Sequence, residues 1–289
     1  MSELLSGALA PSTLQSYNRA WHKLLDFARL HKLSCSLPFS TDTVCLFVTQ
    51  LIDHGSSANS IASTLSAISY FHKLHNAADP CQNFAVRQLA LAAQKSSQPL
   101  PKRSAIDIDL LARLVELALS TCSHYEGILL SSMLSLAFFL GLRLSEYTKS
   151  VHNLQISQVA LSENLLKVTF NSFKHSTPHQ PPHLMYTLKK PFCPVLLLRQ
   201  YLTLRGEKEG PLFLLGLGAV SGNWFNGQLK GLISKAGLKP KSFSSHSLRI
   251  GAANFWADSN LSDLKIKQLG RWRANALPHY LRSAINHSV

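Results

Sequence analysis

A mainly helical protein of two domains, with a small β-sheet confined to the second (α+β), is predicted by three features of the 289-residue chain. Apolar residues recur at helical spacing through the front part. A stretch rich in proline, serine and cations interrupts them near position 100. Beyond it, helical periodicity gives way once, at 164–188, to strand-like runs.

The length suits two domains, and 46% hydrophobic residues supply the apolar surface that two cores need. The first helix is expected from Ser12, just after Pro11, because Leu14, Tyr17, Trp21, Leu24, Leu25 and Ala28 share one face. A second fits 41–52, with Val44, Phe47, Val48 and Leu51 on one side and Gly55 as its stop. A third, capped by Asn59 or Ser60, carries Ile61, Leu65, Ile68 and Phe71, and a fourth covers about 86–93. None of these helices carries residues at catalytic spacing.

Residues 94–104 (QKSSQPLPKRS) hold two prolines, three serines and three cations without apolar periodicity, as an interdomain linker does. Helices are then expected at 108–119 and 125–139, the latter ending at Gly141. Strands are expected at 164–170 and 183–188, on either side of a polar connection of His, Pro and Ser. Further helices follow at 194–204, 224–236, 245–258 and 262–269.

Charge narrows the function. The chain holds 29 Lys+Arg against 15 Asp+Glu, a net +14 that repels itself in a compact state unless a polyanion shares the surface, so nucleic acid is the first partner to consider. No polybasic block borders an amphipathic anchor, and neither a long apolar run nor a signal-peptide pattern is present, so a soluble intracellular protein without a membrane partner is expected. Cys35, Cys45, Cys81, Cys122 and Cys193 form no CxxC pair and read as reduced structural thiols. The pairs His72/His75 and His175/His179 lack Cys or acidic companions and read as solvated or DNA-facing histidines rather than a zinc site, so no metal is expected.

Three separated patches carry chemistry. In GLRLSE (141–146), Arg143 and Glu146 stand three apart after a strongly apolar helix, where Glu146 can hold a buried arginine by a charge-assisted pair. Taken alone, such a pair is ordinary structure. In HSLR (246–249), Ser244 or Ser245 can cap a helix whose first turn places His246 and Arg249 on one face, beside unpaired N–H groups and the positive end of the helix dipole. That arrangement is a seat for phosphate. In LGRWRANALPHYLR (269–282), Trp272 offers an indole N–H and Tyr280 a phenol among cations.

In this order, GLRLSE, HSLR, the Gly-Arg-Trp step and the terminal tyrosine resemble the tyrosine recombinase family, which includes phage integrases and the recombinases of mobile elements. PSTLQSYNRAW (11–21) and SIASTLSAI (60–68) are similar to that family's helical core-binding domain, so the resemblance covers essentially the whole chain. LGRWRANA (269–276) looks closer to DIRS-like and Crypton-type elements of eukaryotes than to bacterial integrases, which would imply a nuclear protein.

The resemblance implies a core-binding helical domain at 1–95, a linker at 96–103 and a catalytic domain at 104–289, together clamping duplex DNA as a C. It implies site-specific cleavage and rejoining through a 3′-phosphotyrosyl link, by homo-multimers (tetramers) assembled on two sites, with neither cofactor nor small-molecule substrate. Arg143 and Arg249 would hold the two non-bridging oxygens, with His246 and Trp272 as further donors. Tyr280 would attack as nucleophile, forming a covalent intermediate that keeps the bond energy. Glu146 would orient Arg143 or a proton-transfer partner. The family places a lysine between two strands as general acid for the leaving 5′-hydroxyl; Lys174 fills that place, with Lys167, inside a strand, as the alternative.

Two departures stand out. In much of the family a His or Trp lies nine residues before the tyrosine; here Arg271 holds that position and Trp272 lies eight before Tyr280. The assignment to Trp272 assumes a one-residue deletion. Only nine residues follow Tyr280, so the chain is expected either to lack the C-terminal helix that relatives often pass to a neighbouring subunit or to be a truncated copy. Two rival readings are a non-catalytic DNA-binding protein derived from such a recombinase, and a type IB topoisomerase; the intact residue set argues against the first, the front-half resemblance and small size against the second.

Overall fold

The computed structural model describes residues 8–96, 103–171, 183–187, 192–272, 277 and 280–281. The chain divides into two compact units, Met1–Leu100 and Pro101–Val289.

Among the described residues, the first unit is a bundle of four α-helices, each held by the face that its sequence periodicity marks. Helix α1 (Pro11–Leu30) starts with Pro11 in its first turn, where the missing N–H costs nothing, and buries Leu24, Phe27 and Ala28. Helix α2 (Thr41–Asp53) is capped by Ser40, whose side chain accepts from the Thr43 N–H at 3.1 Å. Helix α3 (Ala58–Leu74) begins earlier than expected: Ser57, not Asn59 or Ser60, is the cap, its extended backbone letting its hydroxyl accept from the Ser60 N–H at 3.2 Å. Helix α4 (Phe84–Ser96) runs longer than its apolar periodicity, so residues 94–96, read as the start of a linker, are helical. α1 packs on α3 and α2 on α4 around Phe47, Val48, Ile61, Ile68 and Val86.

His72 corrects the reading of the histidines. It is fully buried, with Nδ1 donating to the Ile68 carbonyl at 2.7 Å and Nε2 accepting from the Phe39 N–H at 3.0 Å, so it is a satisfied core residue. His75 is exposed at the end of α3, and His175 and His179 lie outside the described residues.

In the second unit, helices α5 (Ile108–Thr121) and α6 (His124–Phe139) form the centre. Residues 127–139 of α6 are all buried, as a helix apolar on every side must be, and it touches α5, α8 (Pro194–Arg205) and α10 (Ser245–Asp258). The sheet is antiparallel in the order β1 (Val159–Leu161), β2 (Leu165–Thr169), β3 (His183–Thr187). In β2, Leu166 and Val168 face the core and Lys167 faces outward, the alternation that fixes the register of Leu166 opposite Tyr186. β1 was not expected; three residues are too few to show alternation. Also unforeseen are the one-turn helix α7 (Leu144–Tyr147) and the hairpin β4 (Leu214–Leu215) to β5 (Gly218–Ala219). Helices α9 (Gly222–Lys235) and α11 (Asp263–Gly270) are the remaining helices among the described residues, with α10 packed so closely on residue 106 that a Cβ at Gly251 would stand 1.7 Å from the Ile106 carbonyl oxygen. No described helix is long and apolar enough to cross a membrane.

Candidate active site

The site starts from a helix end. α6 closes at Gly141, whose φ of +52 suits glycine, with the Leu142 N–H returning to the Ala137 carbonyl at 2.9 Å. A Cβ there would meet the Trp256 ring at 2.6 Å, so conformation and space both require glycine. The reversal brings Arg143 to the head of α7, where its backbone N–H donates to Glu146 Oε2 at 2.8 Å and its Nη1 to Oε1 at 3.1 Å.

Glu146 is fully buried, yet burial is not what sets its charge state. Burial alone would lift its carboxyl, but the Arg271 charge, the Arg143 N–H and the charges of Arg143 and Arg249 outweigh it and hold the group below the usual carboxylate range. Arg271 pairs with it at 2.7 Å. One buried carboxylate thus faces three guanidiniums, and the excess of positive charge is what an anionic substrate would neutralise.

The second arginine comes from α10. Of the two possible caps, Ser244 is the one: its hydroxyl accepts from the His246 N–H at 3.3 Å while the Ser247 hydroxyl accepts from the Ser244 N–H at 3.1 Å. The first turn then holds His246 at the surface and buries Arg249, whose terminal nitrogens donate to the Gly141 and Gly270 carbonyls. Burial, with the neighbouring Arg143 and Arg271 charges, lowers its pKa to about 10, while Tyr280 works the other way; the group stays cationic at neutral pH. Its Nε–H is buried without a partner among the described residues, as is the indole N–H of Trp272. Donors left so in an apolar setting are costly unless something accepts from them.

Tyr280 closes the cluster. Its ring lies 4.4 Å from Trp272 and 5.1 Å from His246, centroid to centroid, and the Arg249 guanidinium sits 5.6 Å from its centre and 4.6 Å from that of Trp272. Arg271 points elsewhere: its guanidinium is buried against Glu146 and over the Phe170 ring at 4.2 Å. Of the two residues competing for one position, Trp272 is the one beside Tyr280. Two other tyrosines of this unit are buried. Tyr147 is raised by burial, and Tyr201, also buried, donates its hydroxyl to the Leu212 carbonyl at 3.2 Å and accepts from the Leu214 N–H at 2.9 Å.

The structure therefore brings together Arg143, Glu146, His246, Arg249, Trp272 and Tyr280, drawn from positions 137 residues apart in sequence at the extremes, Arg143 and Tyr280. Lys174 lies outside the described residues; Lys167 is described and stands on the exposed side of β2. What sequence reading missed is the partner of Arg271, because nothing local links it to Glu146, 125 residues away. Among the described residues, no group of three or more His, Cys, Asp or Glu could hold a metal ion.

Among the described residues, an all-helical front unit followed by a helical unit with a small antiparallel sheet is the fold of the two-domain tyrosine recombinases that are its structural neighbours. Residues 3–77 match the family described as Phage integrase, N-terminal SAM-like domain. The tyrosine recombinase XerC of Pseudomonas syringae pv. tomato is 28% identical over 162 residues, which is 55% of this chain and 50% of that protein, so the chain spans about half the length of the curated relatives it matches. A lambda integrase dimer bound to a COC′ core site superposes with a TM-score of 0.64 at 15% identity, over 96% of this chain and 74% of that one. The integrase of transposon Tn1549, in complex with transposon right-end DNA, gives 0.65 at 13% identity over 98% and 95%. The likenesses, in sequence over part of the chain and in fold over most of it, are to tyrosine recombinases and integrases.

Proposed function

We propose that this chain is a site-specific DNA recombinase that cuts and rejoins duplex DNA through Tyr280. The observation that carries the reading is the packing of the Tyr280 ring against those of Trp272 and His246, beside a buried Arg249 that neighbours the Arg143–Glu146 pair. A phosphodiester seated here meets positive donors on both non-bridging oxygens, and those donors gain strength as charge builds in the transition state.

In the proposed reaction, the Tyr280 oxygen attacks phosphorus as its proton passes to water, a 3′-phosphotyrosyl bond forms, and the bond to the 5′-oxygen breaks. Lys174 gives that oxygen its proton. Religation runs the same steps in reverse on an exchanged strand, so the phosphoester energy is kept and no other energy source is required. Residues 1–95 would serve as core-binding domain and 104–289 as catalytic domain, with tetramers forming on two DNA sites. The Gly-Arg-Trp ending supports the finer reading of a DIRS-like or Crypton-type mobile-element recombinase, which would act in a nucleus.

The test is incubation of the chain with nicked suicide duplexes that carry candidate element ends. A covalent protein–DNA adduct, lost in Tyr280→Phe while DNA binding persists, is the expected result. DNA binding without any adduct would leave a non-catalytic DNA-binding protein and overturn the proposal.

A further inference from the structure

Arg271 is a buried cation to which the reaction above gives no task, yet it touches the site in three ways. It follows α11 in the left-handed conformation (φ 51, ψ 45), with the Trp272 N–H closing back on the Lys267 carbonyl at 3.0 Å. This turn leaves the Gly270 carbonyl accepting from Arg249 and the Arg271 carbonyl accepting from Arg143 Nη2 at 3.0 Å. The side chain, 2% exposed, pairs with Glu146 Oε2 and also donates to the Leu269 carbonyl at 3.2 Å.

Glu146 thus bridges two arginines, one on each oxygen. Removing Arg271 would leave a buried carboxylate with Arg143 as its chief counter-charge, and an uncompensated buried charge draws its remaining partner in strongly. Arg143 would then be held to Glu146 at the expense of a phosphate. Besides one bond to Glu146 and one to the Arg271 carbonyl, the Arg143 fork has further N–H groups to offer, and their direction depends on where those two acceptors stand.

We infer that Arg271 is a positioning residue for the phosphate-binding arginines: it saturates Glu146, so that Arg143 is oriented without being sequestered, and its turn aims the Gly270 and Arg271 carbonyls at Arg249 and Arg143. The inference rests on the recombinase reading above. Trp272, not Arg271, faces Tyr280, so the Arg271 side chain is free to face inward.

The experiment measures the rate of Tyr280 adduct formation on a nicked suicide duplex, together with duplex affinity and thermal midpoint, for the full chain and for Arg271→Gln, Arg271→Lys, Glu146→Gln and the double variant Arg271→Gln/Glu146→Gln. Arg271→Gln should slow the adduct by about 10- to 100-fold, the scale of a slightly misplaced reacting group, with duplex affinity changed by only about 2- to 3-fold. Arg271→Lys, which keeps a cation for Glu146 but not the fork, should fall between wild type and Gln. Because Arg271 acts through Glu146, the double variant should be no slower than the slower single one. A wild-type rate in Arg271→Gln, a Lys variant no better than Gln, or losses that multiply in the double variant would each overturn the positioning role. Should Arg271→Gln fail to fold, the same cycle with Arg271→Lys decides by the same additivity. A wild-type chain that forms no adduct would overturn the recombinase reading and this role with it, an outcome distinct from the others, in which wild type cleaves.

Discussion

Three guanidiniums and one carboxylate dominate the residue scale. Arg249 is 1% exposed and its Nε–H has no partner among the described residues, so its truncation removes a preorganised donor rather than a solvated charge. Arg249→Ala is expected to lower cleavage by roughly two to four orders of magnitude, a few kcal/mol in the transition state, with a much smaller effect on DNA affinity. Adduct rates under single-turnover conditions check this; wild-type cleavage would remove Arg249 from the active site. At this scale the sequence was readable where chemistry is local: Arg143 with Glu146, His246 with Arg249, and Trp272 with Tyr280 each sit within one short motif. Their convergence, and the pairing of Arg271 with Glu146, are long-range facts that spacing does not encode. His72 misled for a related reason: its buried partners, Phe39 and Ile68, are chosen by packing.

Among elements, α10 does most to assemble the site, because its N-terminal turn supplies His246 and Arg249 while its middle is locked against residue 106. Gly251→Ala would drive a methyl group into the Ile106 carbonyl. Overpacking of this kind costs about 1–3 kcal/mol or more, and the shift it forces on α10 should slow cleavage as well as lower the melting temperature; an Ala variant as stable as wild type would contradict the packing described. In the first unit, the turn after α3 is tied by Asp79, which accepts from Ser69 at 2.6 Å, the Cys81 N–H at 3.0 Å and Gln82 at 3.1 Å, and pairs with Lys73 at 3.4 Å. Burial pushes its carboxyl up, but these donors prevail and hold it at about 2. A carboxyl depressed on folding stabilises fully above its unfolded value, near 3.9, and the stabilisation is lost as pH falls from there through about 2. The protection of α3 amides, relative to their intrinsic exchange at each pH, should therefore fall over that window in wild type and much less in Asp79→Asn; equal pH dependence would contradict it. Long periodic helices such as α1 and α6 were visible in sequence because burial repeats along them. β1 and α7 were not, being too short for any period to show and formed only where β2 and the Gly141 reversal give them partners.

For the whole molecule, a net charge of +14 and two helical units form the setting in which the cluster would meet a polyanion. The proposal that this chain breaks and remakes phosphodiesters stands or falls on a single covalent bond. Its most direct test is to trap the chain on a nicked suicide duplex, digest the adduct and locate the nucleotide-bearing residue by mass spectrometry. The account predicts one modified peptide, with the 3′-phosphate on Tyr280; an adduct on Tyr147, Tyr186 or Tyr201, or one that survives Tyr280→Phe, would contradict it.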